Sequence, residues 1–391
     1  MVIQVCSQER KCNTMTQILK TAKNINMKNF RLILFFVLGM WLIPSVSCGQ
    51  FTETKEIKKE FKVTPETQIE IFNKYGKVEL NTWDKDSVII EVEIKVEEKK
   101  LSKLEKSIDE IEFDFTHNQH FLIAKTLIGQ NKSSLGKELL KLKETVLQSD
   151  GNMQIDYTVW LPASNELIVE NKFGDIFIGD YRGNVKITLS NGNLKSHDFE
   201  GKVDLNLSFV DATINTIKTA NLNCNFSELY IKKAASLNII SKSSTFEILE
   251  IKDLEAESRR DRFRIRLIDM LEAKSSFSNF RLNELTDRLK IIADYGDLDI
   301  EKTAVNFSNI YIESRSTDIN LYFDEASKFD FEITHIKSEL DFCSEIEIRD
   351  EKILDEKEKQ IKLTGRFGDD SDSITKLNIK ANSGEINILS N

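Results

Sequence analysis

From Asn171 onward the chain is written in short alternations of apolar and polar residues, and the alternations return as one phrase. The phrase reads NKFGDIFI, LSNGNLKS, LSFVDATI, NFSELYI, SSTFEIL, RDRFRIRL, FSNFRLN, YGDLDI, RSTDINL and IKSELDF in turn. Its form is a small or aromatic residue, then Gly or Ser, an acidic or amide residue, and two apolar residues flanking one exposed position. The first apolar residue of each phrase falls at Ile176, Leu194, Ala212, Leu229, Phe246, Phe263, Phe280, Leu298, Ile319 and Leu340, at intervals of 18, 18, 17, 17, 17, 17, 18, 21 and 21. Between the phrases lies a second alternating segment, such as Val185–Leu189, Val203–Leu207 or Leu237–Ile239. Period-two alternation predicts strands with one buried face. A repeat this short cannot bury its apolar residues alone, so stacking on its neighbours is required. The prediction is a parallel β-solenoid of about 17–18 residues per coil, rising roughly 4.8 Å per coil. Ile176, Leu194, Leu229, Phe263, Leu298 and Ile300 are expected inside, with Lys and Glu between them outside. No proline follows Pro162, as interior strands require. Gly76, Gly174, Gly192, Gly296 and Gly384 are placed at the turns, where a left-handed backbone costs least.

Residues 51–165 are patterned differently. Ile69–Leu80, Val88–Val96 and Met153–Leu161 alternate as strands, Ile111–Phe115 and His120–Thr126 suggest a hairpin, and Glu97–Asp109 is helix-compatible. Lys132–Leu147 reads as a polar connection. The phrase Asn73-Lys74-Tyr75-Gly76 nearly repeats Asn171-Lys172-Phe173-Gly174. The expected organisation is an N-terminal β-rich cap over 51–165, covering the open end of a repeat domain over 166–391. Near 349–360 a charge-dense insertion breaks the period, and Ile361–Leu363, Leu377–Ile379 and Asn382–Ile388 then resume it as a terminal coil.

The first 49 residues change the picture of where the chain works. Met27-Lys28-Asn29-Phe30-Arg31 is a basic leader, Leu32–Ile43 an uninterrupted apolar run, and Pro44 closes it, the plan of a secretory signal. Met27 is read as the true start. Cleavage before Cys48 and cleavage before Gln50 are both open. A lipidated Cys48 would make a lipoprotein and bring membrane contact, although Ser45 stands where a lipobox takes Leu. Only Cys224 and Cys343 then remain, in apolar strands far apart, and are expected as buried free thiols. The net charge of −10 becomes about −15 without the leader, whose six Lys/Arg outweigh one Glu. An acidic chain of this kind lacks the basic footprint nucleic acid needs.

Certain residues carry a family likeness. Phe173-Gly174-Asp175-Ile176, Asn191-Gly192-Asn193-Leu194, Tyr295-Gly296-Asp297-Leu298 and Ser383-Gly384-Glu385-Ile386 resemble the recurring Gly-Asp/Asn-hydrophobic-x-hydrophobic element of the bacterial putative-adhesin family of β-solenoid domains, including the head GIN group. The export signal, Trp83 after the Asn-Lys-Tyr-Gly entry and the Asp156–Pro162 strand extend the resemblance over nearly all of the mature chain. The middle coils depart from it, with Val210, Ser227, Thr245 or Asp261 where the element has Gly. The resemblance implies an exported binding protein and supplies no catalytic residues.

Candidate chemistry is sparse. His117 and His120 flank a predicted turn without an acidic or thiol partner close in sequence. Ser196-His197-Asp198 lines up triad residue types, yet neighbours on a strand face opposite ways. Gly129–Lys137 resembles a phosphate loop but has Glu138 where the magnesium ligand belongs. Gly368–Asp372 crowds three carboxylates without the distal bidentate Glu of a calcium loop. The unusual stretch is Arg260-Asp261-Arg262-Phe263-Arg264-Ile265-Arg266, a stripe of arginines outside a core strand. Arg260, Arg262 and Arg264, with Arg281 one coil on, form a candidate site for an anionic partner. Alternatively, Glu247, Arg264, Arg281 and Asp299 align as one outer column and neutralise one another. The sequence therefore predicts no enzyme and no cofactor. It predicts a non-catalytic, adhesin-like module at the cell surface, outer membrane or periplasm, whose partner is a glycan or protein of the envelope or matrix. The alternative is a structural or scaffolding protein of the envelope.

Overall fold

In the computed structural model the described residues are 51–129, 152–369 and 375–391. The leader, Cys48, the connection at 132–147 and most of the two candidate loops at 129–137 and 368–372 lie outside them. Phe51–Asn391 is one compact unit, and nearly all of it belongs to one large, mostly parallel sheet. The single helix described, α1 (Leu101–Asp109), buries only Leu104. No helix among the described residues is long and apolar enough to cross a membrane.

The regular part begins with β8 (Leu167–Asn171) and β9 (Ile176–Ile178) and continues through β10 (Val185–Asn225), β11 (Glu228–Lys242), β12 (Thr245–Arg259), β13 (Arg262–Ser276), β14 (Asn279–Thr303) and β15 (Asn309–Phe323). Each repeat pairs in parallel with the next at the interval the hydrophobic pattern sets. Ala212 lies opposite Leu229, Leu229 opposite Phe246, Phe246 opposite Phe263 and Phe263 opposite Phe280. The six residues expected inside are all buried, none more than 2% exposed. Register makes like stack on like. The rings of Phe246, Phe263 and Phe280 lie 4.7 and 4.5 Å apart, nearly parallel, as a stacked column through the core. Burying such a side chain contributes about 1.5–3 kcal/mol, which a single repeat could not collect.

Each repeat has one sharp corner. Asn191, Phe209, Phe226, Ser243, Arg260, Phe277, Tyr295, Ser316, Lys337 and Ser383 occupy it, all with φ between 50° and 65°. In these repeats the left-handed residue is the one before the glycine position, which corrects the expectation at Gly192 and Gly296, whereas Gly76, Gly174 and Gly384, with φ of 119°, 150° and 96°, bear it out. Gly192 and Gly296 do not have positive φ. They are required because a Cβ there would collide with the carbonyl oxygen of Gly174 or Ser278 in the preceding repeat. In the fifth repeat the residue in this column is Ser244 rather than Thr245, since Thr245 pairs with Arg262 and faces outward.

The ends are not assembled in sequence order. β2 (Gln68–Phe72) and β3 (Val78–Trp83) lie between two later segments: β6 (Phe121–Ile128) and β7 (Asn152–Pro162) on one side, β8 and β9 on the other. At the far end β20 (Lys376–Asn382) and β21 (Glu385–Ser390) lie between β15 and the pair β16 (Phe329–Ile336) and β17 (Glu339–Phe342). Ile319 therefore meets Ile386, and Ile386 meets Leu340. The expected terminal coil is inserted, and the second interval of 21 does not join neighbours. Antiparallel strands finish the stack. β5 (Ile111–His117) pairs with β6, and β4 (Ser87–Glu98) joins β7 to β1 (Phe51–Lys62). β19 (Gln360–Phe367) joins β16 to β18 (Ile346–Asp355). Most of the stretch expected as a charged insertion is thus an edge strand. Its charges fit a strand that must not recruit another.

Candidate functional site

The corner column places side chains where the core cannot use them. Phe173, Phe209, Phe226, Phe277 and Tyr295 are 44–59% exposed, although large aromatics ordinarily seek the interior. They stack on one another instead. Ring centroids are 5.5 Å apart for Tyr75 and Phe173, and 5.0 Å for both Phe209–Phe226 and Phe277–Tyr295, with planes within 11°. A non-glycine residue in a left-handed conformation costs on the order of 1–3 kcal/mol. Here the cost is partly offset by a backbone bond across each corner. The N–H of Phe226 donates to Lys242 O, that of Ser243 to Arg259 O, and that of Arg260 to Ser276 O, at 2.9–3.0 Å.

Beneath the corner runs a buried polar column that fixes its shape. The N–H of Val210 donates to Ser227 Oγ, that of Ser227 to Ser244 Oγ, that of Ser244 to Asp261 Oδ1 (2.7 Å), and that of Asp261 to Ser278 Oγ. Asp261 is 1% exposed. Besides Ser244 N–H, its carboxylate accepts from Ser241 Oγ (2.7 Å), Ser258 Oγ (2.9 Å) and Arg259 N–H (2.9 Å). The one acidic residue within the arginine stripe is therefore structural. It holds the backbone that presents Arg260 and Arg262.

Arg260, Arg262, Arg264 and Arg281 are all exposed. Arg260 stands in the corner column between Ser243 and Phe277, while Arg262 and Arg264 project from the adjoining strand. A shallow groove there is lined by Arg262, Arg264, Asn279, Arg281, Asp297 and Asp299. The outer column has the predicted register, with Glu247 opposite Arg264 and Arg264 opposite Arg281. Neutralisation is only partial. Arg281 pairs with Asp299 at 3.2 Å and Arg266 with Glu250 at 2.7 Å. Among the described residues Arg260, Arg262 and Arg264 make no ion pair. Up the stack the face turns acidic. Asp297 lies opposite Asp318, and Asp318 accepts from the N–H of Glu385. Burial, then the Asp318 and Asp299 carboxylates, raise the pKa of Asp297 above its ordinary range.

Other candidates are dispersed. Ser196 points inward, and His197 points outward toward Asp180 at 3.6 Å. The ring of His117 packs against Phe61. Cys224 and Cys343 are both free thiols, Cys224 buried and Cys343 half-buried. The exposed aromatic column was not anticipated. Its signal was the small-or-aromatic position that opens each phrase.

No protein-family model matches the chain, and no curated protein matches it. Among solved structures it is similar to a putative adhesin from Parabacteroides distasonis, at 12% identity over 69% of this chain and 93% of that one, with a TM-score of 0.34. A putative adhesin from Bacteroides fragilis aligns at 10% identity over 85% and 97%, TM-score 0.27. A putative lipid binding protein from Parabacteroides distasonis aligns at 12% identity over 86% and 97%, TM-score 0.28.

Proposed function

We propose that this chain is an exported, non-catalytic binding module of adhesin type, built as a parallel β-solenoid whose 51–165 portion serves as an N-terminal cap to the repeats of 166–391. One observation carries the binding reading. Four exposed aromatics in costly left-handed positions, Phe209, Phe226, Phe277 and Tyr295, run beside three arginines that make no ion pair among the described residues, on an otherwise acidic chain. Aromatic and arginine side chains are those that dominate binding energy when desolvated at an interface. Export rests on the Met27–Pro44 leader, and the partner class is an anionic glycan or protein of the envelope or matrix. A screen of the mature chain against glycans and matrix proteins tests the reading. Saturable binding lost in the Arg262→Ser/Arg264→Ser double variant, with the melting curve retained, is the expected result.

A second reading, a scaffold of the envelope that needs no ligand, is favoured by the outer ladders. Lys290–Glu272, Lys302–Glu284, Arg315–Asp294 and Arg281–Asp299 each join successive repeats. Under that reading Glu247→Lys lowers stability by setting a third cation against Arg264 and Arg281. Under the binding reading it spares or strengthens anion binding.

A further inference from the structure

The corner column is a stack of rings with a gap in it. Phe209 and Phe226 form one stacked pair, Phe277 and Tyr295 another, and between them stand Ser243 and Arg260. Successive repeats are about 4.8 Å apart, and the ring pairs on either side show the matching 5.0 Å. Two repeats separate Phe226 from Arg260, which leaves about 9–10 Å with only a serine side chain in the middle. That is room for one planar ring at stacking distance from both. One face of Phe226 is occupied by Phe209, and the residue is still 49% exposed. An arginine over a ring already occurs in this column, where the Arg315 guanidinium lies 5.7 Å from the centre of Tyr295.

The charges around the gap select its occupant. Lys242 and Arg259 precede the corner in the two repeats concerned, Arg260 occupies it, and Arg262 and Arg264 follow. None of the five makes an ion pair among the described residues. The nearby carboxylates are Glu228 and Glu247 at the margin, Glu257 two residues before Arg259 on the same face, and Asp261, which is buried and engaged by its four donors, so the five cations still outnumber the three exposed acids. The other one-residue gap in the column, at Asn191 between Phe173 and Phe209, has a larger side chain and lies beside Asp175, Asn193 and Asp211. Its cations, Lys172 and Lys195, are balanced by the Asp175 and Asp211 carboxylates.

Resting on the binding reading above, we propose that the Ser243 step is a slot for an aromatic side chain carried on an acidic peptide segment, the ring stacking between Phe226 and Arg260 and the flanking carboxylates meeting Lys242, Arg259 and Arg262. A peptide is favoured over a sugar chain because the column offers free ring faces only at its gaps. Elsewhere the faces are covered by neighbouring rings, so a run of sugars along the column would find edges.

The test is a titration of the full chain with the fluorescently labelled peptide Glu-Asp-Tyr-Asp-Glu at low salt, beside the same peptide with Ala for Tyr and a galacturonate oligomer. The expected result is saturable binding of the Tyr peptide, at least tenfold weaker for the Ala peptide, and at least tenfold weaker again for the Ser243→Phe variant. That variant fills the slot with a residue the column already accepts at 209, 226 and 277, and leaves every cation in place. Equal binding of the two peptides, which needs no variant, overturns the slot. So does unchanged binding by folded Ser243→Phe, no saturable binding of any probe, or binding of the galacturonate alone. A ligand lost in Arg262→Ser/Arg264→Ser but kept in Ser243→Phe retains the binding module and removes the slot.

Discussion

Replacing Asp261 by Ala is expected to destabilise the middle of the stack more than any surface change. The carboxylate accepts four hydrogen bonds of 2.7–2.9 Å while 1% exposed. After the change Ser258 Oγ still reaches Ser278 Oγ at 2.7 Å, but Ser244 N–H, Arg259 N–H and Ser241 Oγ lose their acceptor. A buried donor left unsatisfied costs about 1–3 kcal/mol, so three give a gross loss of roughly 3–9 kcal/mol. Relief of the buried charge offsets part of it, and a net loss of about 3 kcal/mol is expected. Asp261→Ser should cost about 1–2 kcal/mol, because a serine at this column accepts the preceding N–H, as Ser227 and Ser244 already do. Urea unfolding followed by circular dichroism gives the totals. Hydrogen exchange at Ser244 and Arg259 shows whether the loss is local, as a stack of near-neighbour contacts requires. An Ala variant within 0.5 kcal/mol of the Ser variant, or protected amides at both positions in the Ala variant, would refute the role assigned to the carboxylate.

Three further outcomes follow from groups whose titration the fold displaces. Burial and the carboxylates of Asp318 and Asp299 raise the pKa of Asp297, so the fold favours its protonated form; that contribution is complete below the ordinary Asp value and lost as pH rises through the raised one. Asp297→Asn should therefore raise the melting temperature at pH 7 and leave it unchanged near pH 3, and an equal shift at both would count against it. His335 is 8% exposed, its Nδ1 has no hydrogen-bond partner among the described residues, and burial lowers its pKa against the opposing pull of Glu351. The fold favours neutral His335, so stability should fall as pH drops from 7 to 5, and His335→Gln should flatten that slope in thermal melts. Burial, aided by Asp261, pushes the Cys224 thiol far up, and burial followed by Glu345 raises Cys343 less. Iodoacetamide at pH 8 should label Cys343 slowly and Cys224 only after denaturation; equal labelling rates in the folded chain would contradict this.

The repeats were legible because their signal is local. Within one repeat the inward residues alternate, and the next repeat restates them after 17 or 18 positions, so Leu229, Phe246, Phe263 and Phe280 announce their own stacking. The arginine register was legible for the same reason. The corner was not. In the repeat that ends at Phe226, Leu222 and Cys224 are buried, and continued alternation would put Phe226 inside as well. The left-handed residue breaks the parity and turns Phe226 out, so a period-two reading carried across the corner assigns it to the wrong face. At Gly192 and Gly296 the glycine attracted a conformational argument that belonged to its neighbour, Asn191 or Tyr295. The order of the end repeats lies still further from a local signal. The phrase Ser383-Gly384-Glu385-Ile386 shows that a repeat is present and says nothing about which neighbours it joins. The near-identity of Asn73–Gly76 and Asn171–Gly174 was the better clue, since those segments are adjacent, with Tyr75 and Phe173 bridged and their rings stacked.

That threading bears on how the stack is closed. Were the repeats stacked purely in sequence order, each terminal one would hold a single neighbour and could peel away at the cost of one interface. Here β2 and β3 have a later segment on each side, and β20 and β21 are held between β15 and the β16–β17 pair. The first and last repeats in sequence are thus interior in space, and neither can leave without breaking two interfaces. Their pairings also join residues far apart in the chain, as Asn309 opposite Lys376 and Ile69 opposite Leu167. Contacts of that separation require a long loop to be closed before they are rewarded. The middle repeats, with partners 17 or 18 residues away, can form first and offer the template on which the ends are interleaved. The outermost antiparallel strands include β1, β5 and β18, which carry exposed Lys, Asp and Glu, although β18 also exposes Ile348, Ile353 and Leu354. Such charges oppose further strand addition at the ends of the stack.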